Sequence, residues 1–288
     1  MDARLISLLK TLLVLGRVSN LPTVWSNCLA GWLLGGGGSI PSLGLTTIAA
    51  SLLYVGGMYL NDAFDVDFDR AHRAARPIPK GEISERTVWS AGFAMLLLGW
   101  LLLIPLGIHA TILGILLASS IVLYDAIHKS VAFSPILMAT CRVLLFLLAC
   151  SVGQDGITGL GAWSSLALGC WIVGLSYIAK RESLSASPIQ LWPLGAMAVP
   201  LLLAFLTNPG YTRTRALLLS LLLIVWTWRS LRFTFGGPSR QVGKTVSSLL
   251  AGICLVDLLA VTPSFGYGLI FAGFFTLSLL FQHYVPAT

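Results

Sequence analysis

Apolar runs of roughly 17 to 22 residues recur along almost the whole chain, and they limit the folds that it can adopt. As a helix, a run of this length crosses a hydrocarbon core of about 30 Å. A closed barrel of strands would instead show short segments of alternating polarity. We therefore predict an all-α, polytopic bundle of nine or ten transmembrane helices, with candidate spans at residues 18–36, 43–60, 86–106, 109–124, 134–153, 158–179, 190–207, 214–232, 246–261 and 265–284.

The composition agrees with a single membrane domain. Hydrophobic residues make up 56% of the 288 residues and charged residues only 10%, far from the composition of soluble domains. The spans leave no length for a soluble domain, so residues 1–288 are predicted to form one unit. The segment before Arg17 lacks a signal-peptide cleavage pattern, and Lys10 interrupts its apolar part. We predict that this segment is a short amphipathic helix at the membrane surface.

The basic residues define an orientation. When the N-terminus is placed in the cytoplasm, the loops on the other side carry only Arg213 and Arg215. By the positive-inside tendency, the cytoplasmic side is the one that holds Arg4, Lys10, Arg17, Arg70, Arg73, Arg76, Lys80, Arg86, Lys129, Lys180, Arg181, Arg229, Arg232, Arg240 and Lys244. The net charge of +7 is thereby explained by topology and by anionic membrane lipids, and no basic stripe with interleaved aromatics indicates nucleic acid binding. The sequence predicts a protein integral to the cell, or inner, membrane.

Carboxylates cluster directly after the second span, in the stretch NDAFDVDFDRAHRAARPIPKG that begins at Asn61. If the helix continues past Leu60, three aspartates and one asparagine share one helical face, while Asp67 points away by about 140°. Such carboxylates repel one another and lie near the negative end of the helix dipole, so a positive partner must offset them. We call these four residues the acid face: Asn61, Asp62, Asp65 and Asp69.

The acid face has the chemistry of a magnesium site. Oxygen ligands suit a hard divalent cation, and Mg²⁺ in proteins typically uses one or two carboxylates together with phosphate oxygens of a substrate. His72 is the nearest imidazole, so zinc fits poorly. Guanidinium and ammonium groups that suit phosphate follow at once, at Arg70, Arg73, Arg76 and Lys80. We predict a cytoplasmic active-site loop over residues 61–85 that binds a diphosphate; the alternative is a solvated loop in which arginines merely neutralise the acids.

The motif N-D-x-x-D-x-x-x-D after a second membrane helix, followed by Arg76, Pro77 and Gly81, resembles the first aspartate-rich motif of the UbiA-type intramembrane prenyltransferases. The stretch RVSNLPT at Arg17 is similar to the start of that family's first helix. The stretch LYDAIHK, with Tyr124 and Lys129, resembles the family's Y-P-x-x-K-R element, with Asp125 in place of proline. The succession of spans extends the resemblance over most of the chain.

The resemblance implies a helical bundle around a central cavity, in which Mg²⁺ at acidic loops holds the diphosphate of a polyprenyl donor. The allylic C–O bond breaks, diphosphate leaves, and a small acceptor captures the prenyl group. It also implies a catalytic role for the three aspartates of the acid face, Arg17 and Tyr124, metal binding by the acid face, and substrate binding by Asn61, Arg70, Arg73, Arg76, Lys80 and Lys129. The acceptor is an aromatic ring, a sugar phosphate or another polar alcohol.

A second acidic motif is expected after the sixth span, and here the sequence departs from the family. The second cytoplasmic loop, residues 180–189, opens with Lys180, Arg181 and Glu182, so Glu182 is its only acid. Glu182 completes a second metal shell, or the two basic residues bind phosphate directly. The alternative is a positive-inside anchor without a role in the site.

Three other positions are candidates. Arg142 lies inside the fifth span, where a charge is costly, so we expect it either to bind diphosphate or an anionic acceptor or to pair with Asp257. Tyr177 can present a hydroxyl to substrate, although an interfacial aromatic belt also explains it. Asp125 can assist deprotonation of the acceptor, and solvation at a helix end is the commoner alternative.

Two competing functions remain open. A membrane phosphatidyltransferase also uses clustered aspartates and Mg²⁺, but its D-G-x-x-A-R element is absent from the sequence. A noncatalytic protein that binds or carries a polyprenyl lipid on the same fold fits the reduced second motif and explains the intact first motif less well. Release of diphosphate separates the enzyme from the carrier.

Overall fold

The computed structural model describes residues 3–180, 192–235, 241–262 and 265–287, with the backbone alone at residues 3–5, 211 and 265. The described residues form α-helices joined by short turns, two of them 3₁₀ turns at Val18–Asn20 and Ile104–Leu106, and they contain no strand. The predicted all-α architecture is confirmed.

Each of the ten predicted spans corresponds to a helix or to a pair of consecutive helices. The helices are α1 (Ala3–Leu15), α2 (Leu21–Leu34), α3 (Ile40–Phe64), α4 (Val66–His72), α5 (Glu85–Leu101), α6 (Ile108–Ile127), α7 (Ser134–Ser151), α8 (Gly159–Lys180), α9 (Trp192–Met197), α10 (Val199–Thr207), α11 (Gly210–Phe235), α12 (Val242–Ala251), α13 (Ile253–Val261) and α14 (Phe265–Tyr284). Within the described ranges, eight segments are long and apolar enough to cross a membrane. The chain is an integral membrane protein.

Two of the predicted spans are shorter than a bilayer requires. Helix α2 has 14 residues, which is about 21 Å at 1.5 Å per residue, and the apolar segment Trp192–Thr207 is interrupted between α9 and α10. Proline explains where α2 and α10 begin, because Pro22 and Pro200 occupy first-turn positions at which no backbone donor is needed. The turn after α2 contains three glycines with positive φ, Gly36 to Gly38, which closes it tightly before α3.

Helix α2 lies at the centre of the bundle, in contact with α3, α7, α8, α13 and α14. Polar side chains of α2 are fully enclosed there, among them Thr23, Ser26 and Asn27. By contrast, the apolar side chains of α11 and α14 are largely exposed, as expected for helices that face lipid. The polar interior therefore lies on α2 and its neighbours rather than at the periphery.

The segment before Arg17 is helical over Ala3–Leu15 as predicted, and helix α1 is exposed over much of its described length. Its exposed side chains include Ile6, Leu9 and Leu13, while Leu15 is fully buried against α3. The hydroxyl of Tyr59 donates to the backbone carbonyl of Leu12 at 3.1 Å and ties the helix to α3. The Thr11 hydroxyl donates to a carboxylate oxygen of Glu82 at 2.8 Å, so α1 also holds the turn that precedes α5.

Glycine allows α3 and α5 to approach closely, and this gives a first testable prediction. A methyl group on Gly56 would lie 2.9 Å from the backbone oxygen of Gly92 and 3.2 Å from the backbone nitrogen of Leu96. Gly56→Ala is therefore expected to lower the free energy of unfolding in detergent by about 1–3 kcal/mol. Gly44→Ala, in the same helix but with nothing within 4 Å, should leave it unchanged or raise it slightly. Equal effects of the two substitutions would contradict the close packing of these helices.

Candidate active site

The acid face forms at the C-terminal end of α3, on one helical face as the sequence predicts. Helix α3 ends at Phe64, yet the backbone bonds from Asp65 to Asn61 (3.1 Å) and from Asp69 to Asp65 (2.8 Å) carry the helical register into α4. All four residues are buried, with exposed fractions between 2% and 7%. The side chain of Asp67 is 92% exposed, so the predicted division into two faces is confirmed.

The predicted loop over residues 61–85 needs correction. Its first half is helical, because α3 extends to Phe64 and α4 continues to His72. Non-helical chain begins at Arg73 and ends at Ser84, whose hydroxyl caps the N-terminus of α5 by accepting from the backbone of Thr87 at 3.1 Å. Helical geometry is what fixes the acid face, since a loop would let its carboxylates separate.

Two arginines meet at Asp62. Arg17 donates to the Asp62 carboxylate at 3.2 Å, and Arg76 donates to the same oxygen at 3.1 Å. Arg17 lies in the junction between α1 and α2 with φ 42° and ψ 47°, a left-handed conformation that non-glycine residues seldom adopt. Backbone strain of this kind persists where the surroundings fix it, and it clusters at functional sites. The fold therefore holds the Arg17 guanidinium at the acid face.

Asp65 is paired from the end of α6. Lys129 Nζ lies 2.7 Å from the Asp65 carboxylate, and His128 Nε2 lies 3.5 Å from the same oxygen. Burial acts to raise the pKa of Asp65, but the hydrogen bonds from His128 and Lys129 outweigh it and hold the pKa below its usual value. Asp65 is therefore ionised at neutral pH.

Asp69 differs from the other two carboxylates. Its Oδ1 is buried without a hydrogen-bond partner among the described residues, and burial raises the pKa of the group. A buried acceptor without a partner costs about 1–3 kcal/mol. Asp69 therefore has an unfilled requirement for a cation or a donor.

Asn61 joins the acid face to α6. Arg17 donates to its Oδ1 at 3.1 Å, and its Nδ2 donates to Asp125 at 3.0 Å. Asp125 is only 3% exposed, so the interpretation of this residue as a solvated helix end is wrong. Burial follows from the packing of α6 against α3, which places Asp125 opposite Asn61.

The residues present fit Mg²⁺ in kind. The donors are hard oxygens, and the orphaned Asp69 Oδ1 is a binding group without a partner. Asn61 Oδ1 and Asp62 Oδ1 both lie within 3.2 Å of one Arg17 nitrogen, so these two oxygens converge. Among the described residues, no three acidic, histidine or cysteine side chains stand close enough to form a metal cluster by themselves; Asp62 is paired with Arg17 and Arg76, and Asp65 with Lys129.

Three of the basic residues predicted to bind substrate lie outside the acid face. Arg70 is exposed and pairs with Asp67 (3.1 Å) and Glu85 (3.0 Å). Arg73 is exposed and stacks over the Phe68 ring at 5.7 Å, and Lys80 pairs with Glu82. The structure therefore brings Arg76 and Lys129 to the acids but not Arg70 or Lys80.

A second layer of polar side chains lies deeper in the bundle. Arg142 donates to Asn27 Oδ1 at 2.8 Å and to the Thr23 hydroxyl at 3.1 Å. Asn27 Nδ2 in turn donates to Asp257 at 2.8 Å, and the Ser26 hydroxyl donates to the same oxygen. The expected direct pair of Arg142 and Asp257 is wrong, because Asn27 stands between them. We call these five residues the buried polar layer: Thr23, Ser26, Asn27, Arg142 and Asp257.

The remaining predicted residues have other surroundings. Tyr124 stacks on His128, with ring centroids 5.0 Å apart, and so borders the acid face. Tyr177 makes an edge contact with Trp192 at 4.6 Å. Lys180 donates to the backbone carbonyls of Val131 (3.1 Å) and Ala132 (3.4 Å) in the turn after α6. Arg181, Glu182 and the rest of the predicted loop to residue 189 lie outside the described residues.

Sequence reasoning missed Tyr54, which connects the two layers. The Tyr54 hydroxyl donates to the backbone carbonyl of Arg17 at 3.4 Å, and the Arg142 guanidinium lies 5.8 Å from the Tyr54 ring. The signal was present, since Tyr54 precedes Asn61 by seven residues and so shares its helical face.

The other missed contact is at the C-terminal segment. The side chain of Asn20 donates to Tyr54 Oη at 3.2 Å and to the backbone carbonyl of Ala287 at 3.0 Å. Val285 and Ala287 are buried at this point. The segment after α14 therefore packs beside the residues that hold Arg17, which no local pattern in the sequence indicates.

Comparison with known proteins gives a consistent result. A sequence profile of the UbiA prenyltransferase family matches residues 21–233. A digeranylgeranylglyceryl phosphate synthase of Saccharolobus solfataricus is 31% identical over 101 residues, which are 35% of this chain and 36% of that protein. A 4-hydroxybenzoate octaprenyltransferase of Pectobacterium atrosepticum is 28% identical over 168 residues, 56% of this chain and 54% of its own length. The matches thus span between about a third and about half of these relatives.

Solved structures agree on the fold over a longer range. A structure described for digeranylgeranylglyceryl phosphate synthase in membranes superposes with a TM-score of 0.64 at 22% identity, covering 88% of this chain and 97% of that one. A UbiA homologue from Archaeoglobus fulgidus, bound to GPP and Mg²⁺, gives a TM-score of 0.59 at 17% identity and covers 96% of this chain and 97% of that one. The profile match covers most of the chain, and the superpositions extend the likeness in fold over 88% or more of it; the chain belongs to the UbiA prenyltransferase family.

Proposed function

We propose that the chain transfers a polyprenyl group from a polyprenyl diphosphate to a small acceptor and releases diphosphate, with Mg²⁺ as cofactor. The acceptor is an aromatic compound, a sugar phosphate or another polar alcohol. The relative named for 4-hydroxybenzoate supports an aromatic acceptor, and the relative named for a glyceryl phosphate product supports a polar alcohol. The UbiA homologue bound to GPP and Mg²⁺ supports the donor and the metal.

The observation that carries the proposal is the pairing of buried acids with basic side chains at the end of α3. Asp62 contacts the basic side chains of Arg17 and Arg76. Asp65 contacts that of Lys129. A magnesium diphosphate complex presents positive charge to carboxylates and negative charge to guanidinium and ammonium groups. It can therefore insert between the paired groups, and each charge then keeps a partner of opposite sign.

In the proposed reaction the chain's residues bind and orient the donor. Arg17, Arg76 and Lys129 turn from the carboxylates to the diphosphate oxygens, while the acid face holds the metal. Bound Mg²⁺ supplies positive charge that stabilises the departing diphosphate. The allylic C–O bond breaks, the nucleophilic atom of the acceptor forms a bond to the same carbon, and the acceptor loses a proton. Tyr124, whose ring borders the acid face, limits access of water to the reacting carbon.

The remaining roles belong to the same proposal. Arg142 is placed to bind an anionic group of the acceptor below the acid face, across the Tyr54 ring. Glu182, Lys180 and Arg181 supply a second acidic and basic loop, and Tyr177, Arg70, Arg73 and Lys80 contact substrate in a closed state. The chain lies in the cell membrane with its N-terminus and both loops facing the cytoplasm, and its partners are the donor, the acceptor and membrane lipids.

Donor turnover tests the function. Membranes that contain the protein are incubated with radiolabelled geranyl, geranylgeranyl and longer diphosphates, with a panel of aromatic and glycerol phosphate acceptors. We expect release of diphosphate that requires Mg²⁺ and stops when EDTA is added. If the donor binds but no diphosphate is released at any chain length, the proposed enzymatic function is wrong. The alternative, a noncatalytic polyprenyl-lipid carrier on the same fold, would then be favoured. The ion pairs at Asp62 and Asp65 are compatible with that alternative, because they neutralise both acids without a metal ion.

A further inference from the structure

Asp125 is a buried carboxylate of which one oxygen has a hydrogen-bond partner among the described residues and the other has none. It lies in the last turn of α6, and its Oδ1 accepts from Asn61 Nδ2 at 3.0 Å. Its Oδ2 is buried and has no partner among the described residues. Packing alone does not explain an acid here, since an apolar side chain would fill the position without leaving a polar atom unpaired.

The contact with Asp125 determines which way the Asn61 amide points. An asparagine side chain has two N–H donors at one end and an acceptor oxygen at the other. The two ends have nearly the same shape, so their hydrogen-bond partners decide which way the amide points. Asp125 accepts from the Nδ2 end, and Arg17 donates to the Oδ1 end at 3.1 Å. A flipped amide would direct its N–H groups at the Arg17 guanidinium and its oxygen at the Asp125 carboxylate, so both contacts would be repulsive.

The fixed amide directs Asn61 Oδ1 to the same point as an oxygen of Asp62. Both oxygens lie within 3.2 Å of one nitrogen of Arg17. Two converging oxygens, one neutral and one anionic, are the ligands that a hard cation prefers. The position that Arg17 now fills is therefore the position at which a bound metal ion would meet both ligands.

We propose that Asp125 is a positioning residue of the donor site, which orients the Asn61 amide so that its oxygen faces the metal and diphosphate. The proposal rests on the proposed function and adds a second residue of α6, beside Tyr124, to a site whose acids lie at the end of α3 and in α4. Residues that orient metal ligands typically change metal affinity by about 10–100-fold when they are removed. Asp125 acts through the hydrogen bond that it accepts, so a neutral acceptor of the same shape substitutes for it.

Metal binding, measured without turnover, tests the proposal. The full chain in lipid nanodiscs is titrated with Mn²⁺, an oxygen-preferring substitute for Mg²⁺, in the presence of inorganic diphosphate, and free Mn²⁺ is followed by electron paramagnetic resonance. We expect Asp125→Leu to raise the Mn²⁺ concentration for half-saturation about 10–100-fold. Asp125→Asn, which retains an oxygen acceptor for Asn61, should stay close to the wild-type value. The exposed Asp67→Leu is the control for loss of a nearby negative charge.

A double-mutant cycle distinguishes positioning from a general structural effect. In an Asn61→Ala background, Asp125→Leu should change the Mn²⁺ affinity by no more than about twofold, because there is no amide left to orient. Additive effects, an unchanged affinity of Asp125→Leu, or an Asp125→Asn variant as impaired as Asp125→Leu would each overturn the proposal. If the wild-type protein itself fails to bind Mn²⁺ and diphosphate, the proposed function falls, and this inference falls with it.

Discussion

Replacing Asp62 or Asp65 by alanine is expected to reduce prenyl transfer by more than about 100-fold, because a direct metal ligand should matter more than a group that only orients one. Both carboxylates are buried at the acid face and are held by basic side chains of three other segments. The measurement is the rate of Mg²⁺-dependent diphosphate release by the purified protein in nanodiscs. Tryptophan fluorescence and gel filtration, performed on the same samples, show whether the variants are folded.

Asp67→Ala provides the matched control. Asp67 lies in the same short segment and carries the same charge, but its side chain is exposed and, within the part of the chain that the structure describes, pairs only with Arg70. We expect an activity within about twofold of the wild type, since an exposed ion pair contributes little. An Asp67 variant as impaired as the Asp65 variant would mean that negative charge in the segment, rather than the acid face, supports the reaction.

The second large effect is expected in the buried polar layer, on stability rather than on turnover. Asp257→Leu removes the acid that accepts from Asn27 and leaves Arg142 in the bundle without the carboxylate that balances its charge through Asn27. The free energy of unfolding should fall by about 3–5 kcal/mol, as when one partner of a buried charge pair is lost. Unfolding in detergent by added sodium dodecyl sulfate, followed by far-ultraviolet circular dichroism, measures the change.

The double variant Arg142→Leu with Asp257→Leu tests the charge argument. When both charges are replaced by apolar side chains, much of the lost stability should return. Asp67→Leu, at an exposed position, should leave stability nearly unchanged. If the double variant is less stable than Asp257→Leu alone, then Arg142 is stabilised without Asp257, and the linkage through Asn27 is not what maintains the layer.

Local periodicity was sufficient to predict both the helices and the acid face. Hydropathy located a helix, or a pair of consecutive helices, at each predicted span within the described residues, because lipid requires long continuous apolar segments. The division between Asp65 and Asp67 followed from the helical repeat alone, since both residues lie within one turn of one element. Helix ends were less accurate: α3 extends four residues beyond the predicted end at residue 60, because polar residues at the membrane surface do not by themselves stop a helix.

Contacts between distant segments could not be predicted in the same way. The pairing of Asn61 with Asp125 depends on the packing of α6 against α3, and the insertion of Asn27 between Arg142 and Asp257 depends on the positions of α2, α7 and α13. When most faces of a membrane helix are apolar, its sequence does not indicate which face turns towards which neighbouring helix. The charged and amide side chains do indicate the inward face, but the helix that they face can be predicted only when their hydrogen-bond partners are known.

The segment after α14 has a practical consequence for handling the protein. Because the Ala287 carbonyl accepts from Asn20, and Asn20 also contacts Tyr54, the chain at residue 287 lies beside the groups that hold Arg17. An affinity tag or fluorescent fusion at this segment would compete with the contact between Asn20 and Ala287 and so weaken the support of Arg17. Purification handles are better placed away from this contact.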